Sequence, residues 1–335
     1  MSLDTLPTRA LGRGGLRAGP FAFGAAQIAN LYREVDDASA RAAVDAAWDA
    51  GVRYFDSAPH YGLGLSERRL GEALASRPRD EYVLSTKVGR LLKPRAANGE
   101  VDDEGFAVPR AFERVRDYSR DGVLRSIEAS LTRLGTDRID VVFVHDPDEY
   151  EAEALASAFP ALDELRREGV IASYGAGMNQ SAMLARFVRE TDLDVIMQAN
   201  RYTLLEQEPL DDLLPAALDR NVSIVAAAVF NSGLLARDRP AADAPYNYGP
   251  AGAELIARVN RIADVCEAHG VTLPAAAAQF PLAHPAVATV CLGSRTAEQV
   301  IRNAALFEVE IPDALWSDLV GAGLLRADAP VPGAR

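Results

Sequence analysis

The sequence predicts an α/β fold in which eight strand–helix units close into a barrel. Short runs rich in β-branched and aromatic residues alternate with longer alanine-rich stretches of helical period. The strand-like runs are continuously apolar, as expected for a sheet covered on both faces. The stretch Phe23-Gly24-Ala25-Ala26 lacks the GxGxxG spacing of an open dinucleotide-binding sheet. Together these observations favour a closed barrel over a doubly wound open sheet.

The strand candidates are short and evenly spread along the chain. They cover residues 21–25, 52–57, 82–88, 139–145, 171–175, 195–199, 222–227 and 287–292. Helix candidates follow them at residues 39–50, 66–75, 121–134, 153–168, 180–190, 210–220, 252–269 and 296–307. Ser66 is expected to cap the second helix, and Gly135 and Gly169 are expected to end the third and fourth.

Two longer segments interrupt the alternation. Residues 90–118 separate the third strand from its helix, and residues 230–251 follow the seventh strand and carry three prolines. Both would leave the barrel at the carboxyl ends of its strands, where barrel enzymes build their active sites. We therefore expect long active-site loops on that face.

Length leaves one or two domains open, because 335 residues correspond to about two domains at roughly 150 residues each. No linker divides the chain, and α/β barrels reach this length, so we expect a single barrel domain over residues 1–335. The 35 Lys and Arg residues against 48 Asp and Glu residues give a net charge of −13. That charge argues against nucleic acids and anionic membranes as partners.

Other sequence features bear on compartment and partners. There is no apolar run long enough to span a membrane and no apolar signal core at the N-terminus. Two cysteines, Cys266 and Cys291, are too few for a disulfide framework. We expect a cytoplasmic monomer or weak homodimer that acts on a small molecule.

Four chemically active residues stand at or just after the carboxyl ends of successive strand candidates. They are Asp56, Tyr61, Lys87 and His145. A tyrosine can exchange a proton with a carbonyl or alcohol oxygen, but its free pKa of about 10 is high for a base. The ammonium of Lys87 would lower that pKa, Asp56 would hold Lys87, and His145 would orient the substrate oxygen. These residues predict a proton-transfer site.

The motifs around these residues resemble the aldo-keto reductase superfamily. The segment FDSAPHYGLGLSERRLGEAL contains Asp56 and Tyr61, LSTKVG contains Lys87, and IDVVFVHDPD contains His145. The resemblance spans nearly the whole chain. It implies a (β/α)8 TIM barrel, a nicotinamide cofactor, and Asp56, Tyr61, Lys87 and His145 as the catalytic tetrad. We expect no metal, because the histidines form no HxH pair.

The same resemblance implies cofactor contacts. Met178 stands where the family usually has serine, and a thioether cannot donate that hydrogen bond. The segment after the seventh strand lacks the usual Ser-Pro-Leu. The resemblance implies that the cofactor is bound by Asn179, Gln198, Phe230, Asn231, Gly233, Leu235, Gly293, Ser294, Arg295, Gln299, Arg302 and Asn303.

Cofactor choice between NAD and NADP depends on the last of these segments. Relatives specific for NADP often carry lysine at the position of Gly293 and arginine at that of Gln299, and both are missing here. Arg295 and Arg302 could still hold a 2′-phosphate. We expect NAD ahead of NADP, with use of both left open.

A narrower resemblance concerns the substrate. AAQIANLY, FDSAPHYGLGLSE and AAVFNSGLLA look like the aldose dehydrogenase branch, which includes dehydrogenases of D-threo-aldoses, L-fucose, L-galactose and pyridoxal. The branch implies oxidation of a cyclic sugar at its anomeric carbon to a lactone, with Tyr61 as general acid and base. On the same logic the substrate contacts are Tyr32, His60 and Phe230.

Other functions share parts of this pattern. A reductase of aldehydes and carbonyls that uses NADPH needs the same catalytic residues, and pyridoxal 4-dehydrogenase activity is a further alternative. A non-enzymatic cofactor-sensing subunit is disfavoured by the intact tetrad. A metal-dependent hydrolase is disfavoured because the four histidines are scattered.

Overall fold

The computed structural model describes residues 3–96, 99–247 and 249–333. Eight parallel strands pair side by side, and the last pairs with the first, as in Val290 with Phe21, so the sheet is a closed barrel. This confirms the predicted fold class. The barrel strands are β1 Phe21–Gly24, β2 Tyr54–Asp56, β3 Val83–Val88, β4 Val141–His145, β5 Ser173–Met178, β6 Val195–Ala199, β7 Ser223–Ala227 and β8 Val287–Gly293.

Helices surround the barrel, and each of the eight predicted helices is present with shifted ends. They are α1 Asp37–Asp49, α2 Leu65–Leu74, α3 Arg120–Leu134, α4 Phe159–Arg167, α5 Ser181–Glu190, α6 Leu213–Asp219, α7 Ala253–Ala268, α8 Leu273–Gln279, α9 Ala297–Ala305 and α10 Asp313–Gly321. The sequence did not predict α8 and α10. A short turn, Glu151–Glu153, and a π-helical segment, Ala154–Ala158, precede α4.

The start of α2 differs from the prediction. Its N-cap is Gly64, whose φ of 83° is a left-handed value, and Ser66 lies inside the helix. The hydroxyl of Ser66 instead donates to the carbonyl of Ala25 at 3.0 Å and meets the Ser57 hydroxyl at 2.8 Å. These bonds join α2 to the ends of β1 and β2, which fixes the loop carrying Tyr61. The predicted end of α3 at Gly135 is confirmed, since its φ is 64°.

Two apolar layers hold the barrel together. The larger layer lies between the strands and the surrounding helices and contains outward residues such as Phe55, Leu84 and Val144. The smaller one fills the barrel interior and contains Tyr54, Val83, Phe143 and Met197. Side chains alternate between the two faces of a strand, so residues two or four positions apart point the same way. Asp56 therefore points into the interior like Tyr54 on β2, and Lys87 points into it like Val83 on β3. The catalytic candidates therefore lie directly above the packed apolar layer of the barrel interior.

The amino-terminal side of the barrel is covered by a short hairpin, Arg9–Ala10 with Arg17–Ala18. Leu11 within this hairpin is completely buried in the interior layer. None of the helices in the described residues is long and apolar enough to cross a membrane.

The two long loops leave the carboxyl side, as predicted. The first contains an antiparallel hairpin, Arg90–Pro94 with Phe112–Arg116. It is joined to the loop after β1, because Asn30 Nδ2 donates to the Ala107 carbonyl at 3.0 Å and the Tyr32 amide donates to the Gly105 carbonyl at 2.7 Å. The second contains the short pair Pro245–Tyr246 with Gly249–Pro250.

Candidate active site

A buried ion pair lies at the carboxyl end of the barrel interior. The ammonium of Lys87 is 2.6 Å from Asp56 Oδ2 and 2.9 Å from the carbonyl oxygen of Ser57. The other oxygen of Asp56 accepts a hydrogen bond of 2.7 Å from Ser85. Burial favours the neutral amine, but Asp56 and Tyr61 together outweigh it, so the pKa of Lys87 lies above its ordinary value. Lys87 is thus a fixed cation.

The phenol of Tyr61 is next to this cation. Lys87 Nζ lies 4.7 Å from the centroid of the Tyr61 ring, within cation–π range. Burial nevertheless raises the pKa of Tyr61 to about 12, although Lys87 acts to lower it. The expectation of a lowered pKa is therefore wrong for the chain by itself, because the desolvation of the phenolate outweighs one neighbouring ammonium. At neutral pH Tyr61 is a proton donor.

His145, at the end of β4, completes the group. Its ring is perpendicular to that of Tyr61, with centroids 5.8 Å apart, and only 7% of the residue is exposed. Burial, together with the charges of Arg90 and Lys87, holds the pKa of His145 well below its usual value. The imidazole is therefore neutral and can donate one hydrogen bond to a substrate oxygen. The structure brings together all four residues of the predicted tetrad.

His60 and the first long loop form one side of this site. The His60 ring lies 5.4 Å from Phe106 and 5.7 Å from His145 between centroids. Burial and nearby arginines lower the pKa of His60 to about 2, and its Nδ1 has no hydrogen-bond partner in the described residues. Arg114 Nη2 donates to the carbonyl of His60 at 3.1 Å, which joins the first long loop to the loop that carries His60. Tyr32, a predicted substrate contact, is 70% exposed at the outer edge.

Side-chain amides gather after β5, β6 and β7. Gln198 Nε2 donates to the Asn179 carbonyl at 2.9 Å, and Asn200 Nδ2 donates to Asn179 Oδ1 at 3.1 Å. Asn231 Nδ2 donates to the Asn200 carbonyl at 2.9 Å. In the described part of the chain, Gln198 Oε1 and Asn231 Oδ1 are buried without a partner. A buried carbonyl oxygen without a donor is costly.

These orphaned oxygens fit the carboxamide of a nicotinamide. Its NH₂ group has two N–H donors, which match the unpaired oxygens of Gln198 and Asn231, while Asn179 Oδ1 already accepts from Asn200. Met178 does not take part, because it is buried in the apolar layer between strands and helices. Of the cofactor contacts predicted after the seventh strand, Phe230 is half-buried, Leu235 is buried and Gly233 is exposed. They lie in a turn where Asn231, Ser232 and Gly233 all have positive φ.

The predicted phosphate and adenosine contacts lie at the end of β8 and along α9, with Arg302 in the last turn of that helix. Ser294 Oγ accepts from Asn303 Nδ2 at 3.0 Å, and the Arg295 amide donates to Gln299 Oε1 at 2.8 Å. Arg295 Nη2 donates to the Leu31 carbonyl at 2.9 Å, while its Nε is buried without a partner among the described residues. Gly293 and Arg302 are exposed. The hydroxyl of Ser294 and the guanidinium of Arg295 are thus able to bind an anionic group.

Several residues of the site were not predicted. Ser85 supports Asp56, Asn200 joins the amides, and Arg90 and Asp146 stand beside His145. Arg90 follows Lys87 by three residues and Asp146 follows His145 directly, so their places near the site could have been read from the sequence, although their pairing could not. No group of three or more His, Cys, Asp or Glu side chains in the described ranges is arranged to hold a metal ion.

Comparison with known proteins agrees with this geometry. A family model described as the Aldo/keto reductase family matches residues 20–322. The chain is 49% identical over 315 residues to a D-threo-aldose 1-dehydrogenase from Pseudomonas sp, covering 93% of this chain and 96% of that protein. It is 41% identical to a pyridoxal 4-dehydrogenase from Microbacterium luteolum, covering 97% and 100%.

A solved structure shows the same architecture. An aldo-keto reductase from Bacillus halodurans, in its holo form, superimposes with a TM-score of 0.75 at 26% sequence identity. The match covers 97% of this chain and 98% of that one.

Proposed function

The chain belongs to the aldo/keto reductase family, and on that premise we propose that it oxidises the anomeric carbon of an aldose to a lactone. It is an oxidoreductase, and the family uses a nicotinamide cofactor, NAD or NADP. The observation that carries the proposal is the convergence of Asp56, Lys87, Tyr61 and His145 around one point at the mouth of the barrel. The D-threo-aldose 1-dehydrogenase relative supports the choice of a sugar of the D-threo-aldose, L-fucose or L-galactose type.

The roles we propose follow from the charges of the side chains. Tyr61 takes the proton of the anomeric hydroxyl during oxidation and returns it in the reverse direction. Lys87, fixed by Asp56, stabilises negative charge on the phenol oxygen. Neutral His145 donates a hydrogen bond to the substrate oxygen and orients it. His60 and Phe106 enclose the sugar on the side of the first long loop.

The cofactor, when bound, supplies the hydride acceptor for this reaction. We propose that Asn179, Gln198 and Asn231 hold its carboxamide, and that Ser294, Arg295 and Asn303 hold its adenosine and phosphate end. We place NAD ahead of NADP, because Gly293 and Gln299 replace the lysine and arginine common in NADP-specific relatives. The side chain of Gln299 is also engaged with the Arg295 amide.

A second candidate function is the reduction of aldehydes and other carbonyls. The observation that favours it is the raised pKa of Tyr61, about 12, which keeps the phenol protonated as a reductase requires. Oxidation of pyridoxal is a third, supported by the 41% identical relative.

A spectrophotometric panel distinguishes these functions. Absorbance at about 340 nm reports the reduced nicotinamide. L-fucose, L-galactose, D-arabinose and pyridoxal are each tested with NAD and with NADP, and aldehydes are tested with the reduced cofactors. Aldose oxidation with the highest kcat/KM supports the proposal. A kcat/KM for pyridoxal or for simple aldehydes above that for every aldose would contradict the proposal.

We further propose a single barrel domain over residues 1–335, acting in the cytoplasm as a monomer or weak homodimer. The buried, unpaired thiols of Cys266 and Cys291 support a reducing compartment. Size-exclusion chromatography with light scattering tests the oligomeric state, and a mass above that of a dimer would contradict it.

A further inference from the structure

A carboxylate that the mechanism does not use lies beside His145. Asp146 Oδ2 is 3.6 Å from His145 Nε2, too far for a hydrogen bond and close enough to share a ligand. About a third of the Asp146 side chain, 33%, is exposed. In the described residues its other oxygen, Oδ1, accepts no hydrogen bond. The carboxylate therefore borders the point where the substrate oxygen would meet His145, and one of its two oxygens is free to accept a hydrogen bond.

The backbone of Asp146 is held in an uncommon conformation. Its φ is 41°, in the left-handed region that side chains other than glycine seldom adopt. The Asp146 amide donates to the Gly177 carbonyl at 3.0 Å, and its carbonyl accepts from the Tyr118 hydroxyl at 2.9 Å and from Arg116 at 3.1 Å. Strained residues fixed by their surroundings concentrate at functional sites. Three hydrogen bonds, one to β5 and two from residues 116–118, fix the backbone of Asp146.

A guanidinium holds the carboxylate from the other side. Arg90 Nη2 pairs with Asp146 Oδ2, and only 8% of the Arg90 side chain is exposed. The preceding residue, Gly89, has a φ of 104°, and a Cβ there would meet the Tyr118 ring at 2.2 Å, so the chain lies close against Tyr118 just before Arg90. Burial raises the pKa of Asp146, and the charge of Arg90 opposes that rise. The carboxylate is thus oriented with Oδ2 occupied and Oδ1 open.

We propose that Asp146, held by Arg90, accepts a hydrogen bond from the substrate hydroxyl next to the oxidised carbon and so selects polyhydroxylated sugars over simple aldehydes. The inference rests on the proposed function. In a ring aldose the hydroxyl on carbon 2 neighbours the anomeric oxygen that His145 would orient. A carboxylate is a strong acceptor for such a donor, and a site built to bind a hydroxyl rejects analogues that lack it.

The experiment measures the ratio of kcat/KM for a sugar with the hydroxyl on carbon 2 to kcat/KM for the same sugar without it. D-arabinose and 2-deoxy-D-ribose differ only in the hydroxyl on carbon 2, and the wild type should prefer D-arabinose. In Asp146→Ala the ratio of their kcat/KM values should fall by about 10- to 100-fold, the worth of a hydrogen bond to a charged group. Because Asp146→Ala leaves the Arg90 charge buried, Arg90→Met/Asp146→Ala removes both charges and should show the same fall. L-fucose and its 2-deoxy analogue provide a second pair.

The measurements distinguish a failure of this inference from a failure of the proposed function. Glu149→Ala removes an exposed carboxylate from the same loop and should leave the ratio as in the wild type. If the wild type oxidises none of these aldoses, the proposed function fails and this inference fails with it. If it oxidises them but kcat/KM for both members of each pair falls in parallel in the variants, Asp146 acts only through His145 and the inference alone is overturned.

Discussion

The ammonium of Lys87 lies 2.6 Å from the carboxylate of Asp56, and each side chain is at most 3% exposed. Such a pair has little access to water, so each charge depends on the other for its stabilisation. The pair also fixes the position of the cation beside Tyr61. The stability of the barrel mouth and the chemistry of the site thus depend on the same contact.

We expect Asp56→Asn to destabilise the fold strongly. Removing one partner of a buried pair leaves an uncompensated charge and costs roughly 3–5 kcal/mol in the free energy of unfolding. The double variant Asp56→Asn/Lys87→Met removes both charges and should be more stable than Asp56→Asn. Urea denaturation followed by circular dichroism measures both effects.

A surface pair provides the control. Arg120 and Glu164 pair at 2.9 Å with side chains that are 57% and 47% exposed, so Glu164→Gln should cost no more than about 1 kcal/mol. Equal losses for Asp56→Asn and the double variant would show that the buried charge is not the source of the instability.

The sequence predicted much of the barrel because its signals are local. All eight strands lie within a few residues of their predicted positions, since continuous apolar runs mark strands buried on both faces. The tetrad was predictable for the same reason: residues at the carboxyl ends of neighbouring parallel strands meet at one edge. The hairpin Arg90–Pro94 with Phe112–Arg116 was not, because it depends on contacts such as Gly89 with Tyr118.

Properties that depend on burial were also beyond the sequence. Residue types alone indicated that Lys87 lowers the pKa of Tyr61, but the structure adds a larger desolvation effect with the opposite sign. Ser66 has a cap residue's chemistry, yet its hydroxyl bonds to Ala25 and Ser57 because α2 packs against those loops. Asp146 and Arg90 pair across 56 residues of sequence, a separation that no local pattern reports.

We expect acid to destabilise the protein in part through His60. Its pKa is about 2 in the folded chain and about 6.5 when unfolded, and its side chain is 14% exposed. Below pH 6.5 the unfolded state binds a proton that the folded state does not, so stability falls as pH falls. The loss attributable to His60 between pH 6.5 and 5 is about 2 kcal/mol, and His60→Gln should lack it.

Urea denaturation at these two pH values measures the difference. His269→Gln removes an imidazole that pairs with Asp318 at 2.7 Å and should not reduce the acid sensitivity. A wild-type loss that persists in full in His60→Gln would contradict the depressed pKa of His60.

We expect Tyr61→Phe to abolish turnover while cofactor binding persists. General acid–base catalysis contributes roughly 10²- to 10⁴-fold, and phenylalanine has no proton to exchange. Turnover is followed through the nicotinamide absorbance, and cofactor binding through quenching of protein fluorescence. Tyr82→Phe, which alters a ring packed against Trp48 and Phe55, should retain wild-type turnover. Near-normal turnover in Tyr61→Phe would refute the role of Tyr61.

The raised pKa of Tyr61 predicts opposite pH dependences for the two directions of reaction. The phenol is protonated below its pKa of about 12, so the phenolate fraction rises about tenfold per pH unit from neutrality upward. Oxidation needs the phenolate, and its kcat/KM should therefore rise with pH between about 7 and 10. Reduction needs the phenol, and the tyrosine should not limit its rate in this range.

Lys87→Met tests the cause of this dependence. Lys87 acts to lower the pKa of Tyr61, so its removal should raise that pKa and displace the oxidation profile to higher pH. At a fixed pH of about 9 the variant should then oxidise more slowly by at least about tenfold, one pKa unit of interaction. Lys93→Met removes an exposed lysine of the first long loop and is the matched control. An oxidation profile in Lys87→Met that coincides with that of Lys93→Met would show that the ammonium does not act on the phenol.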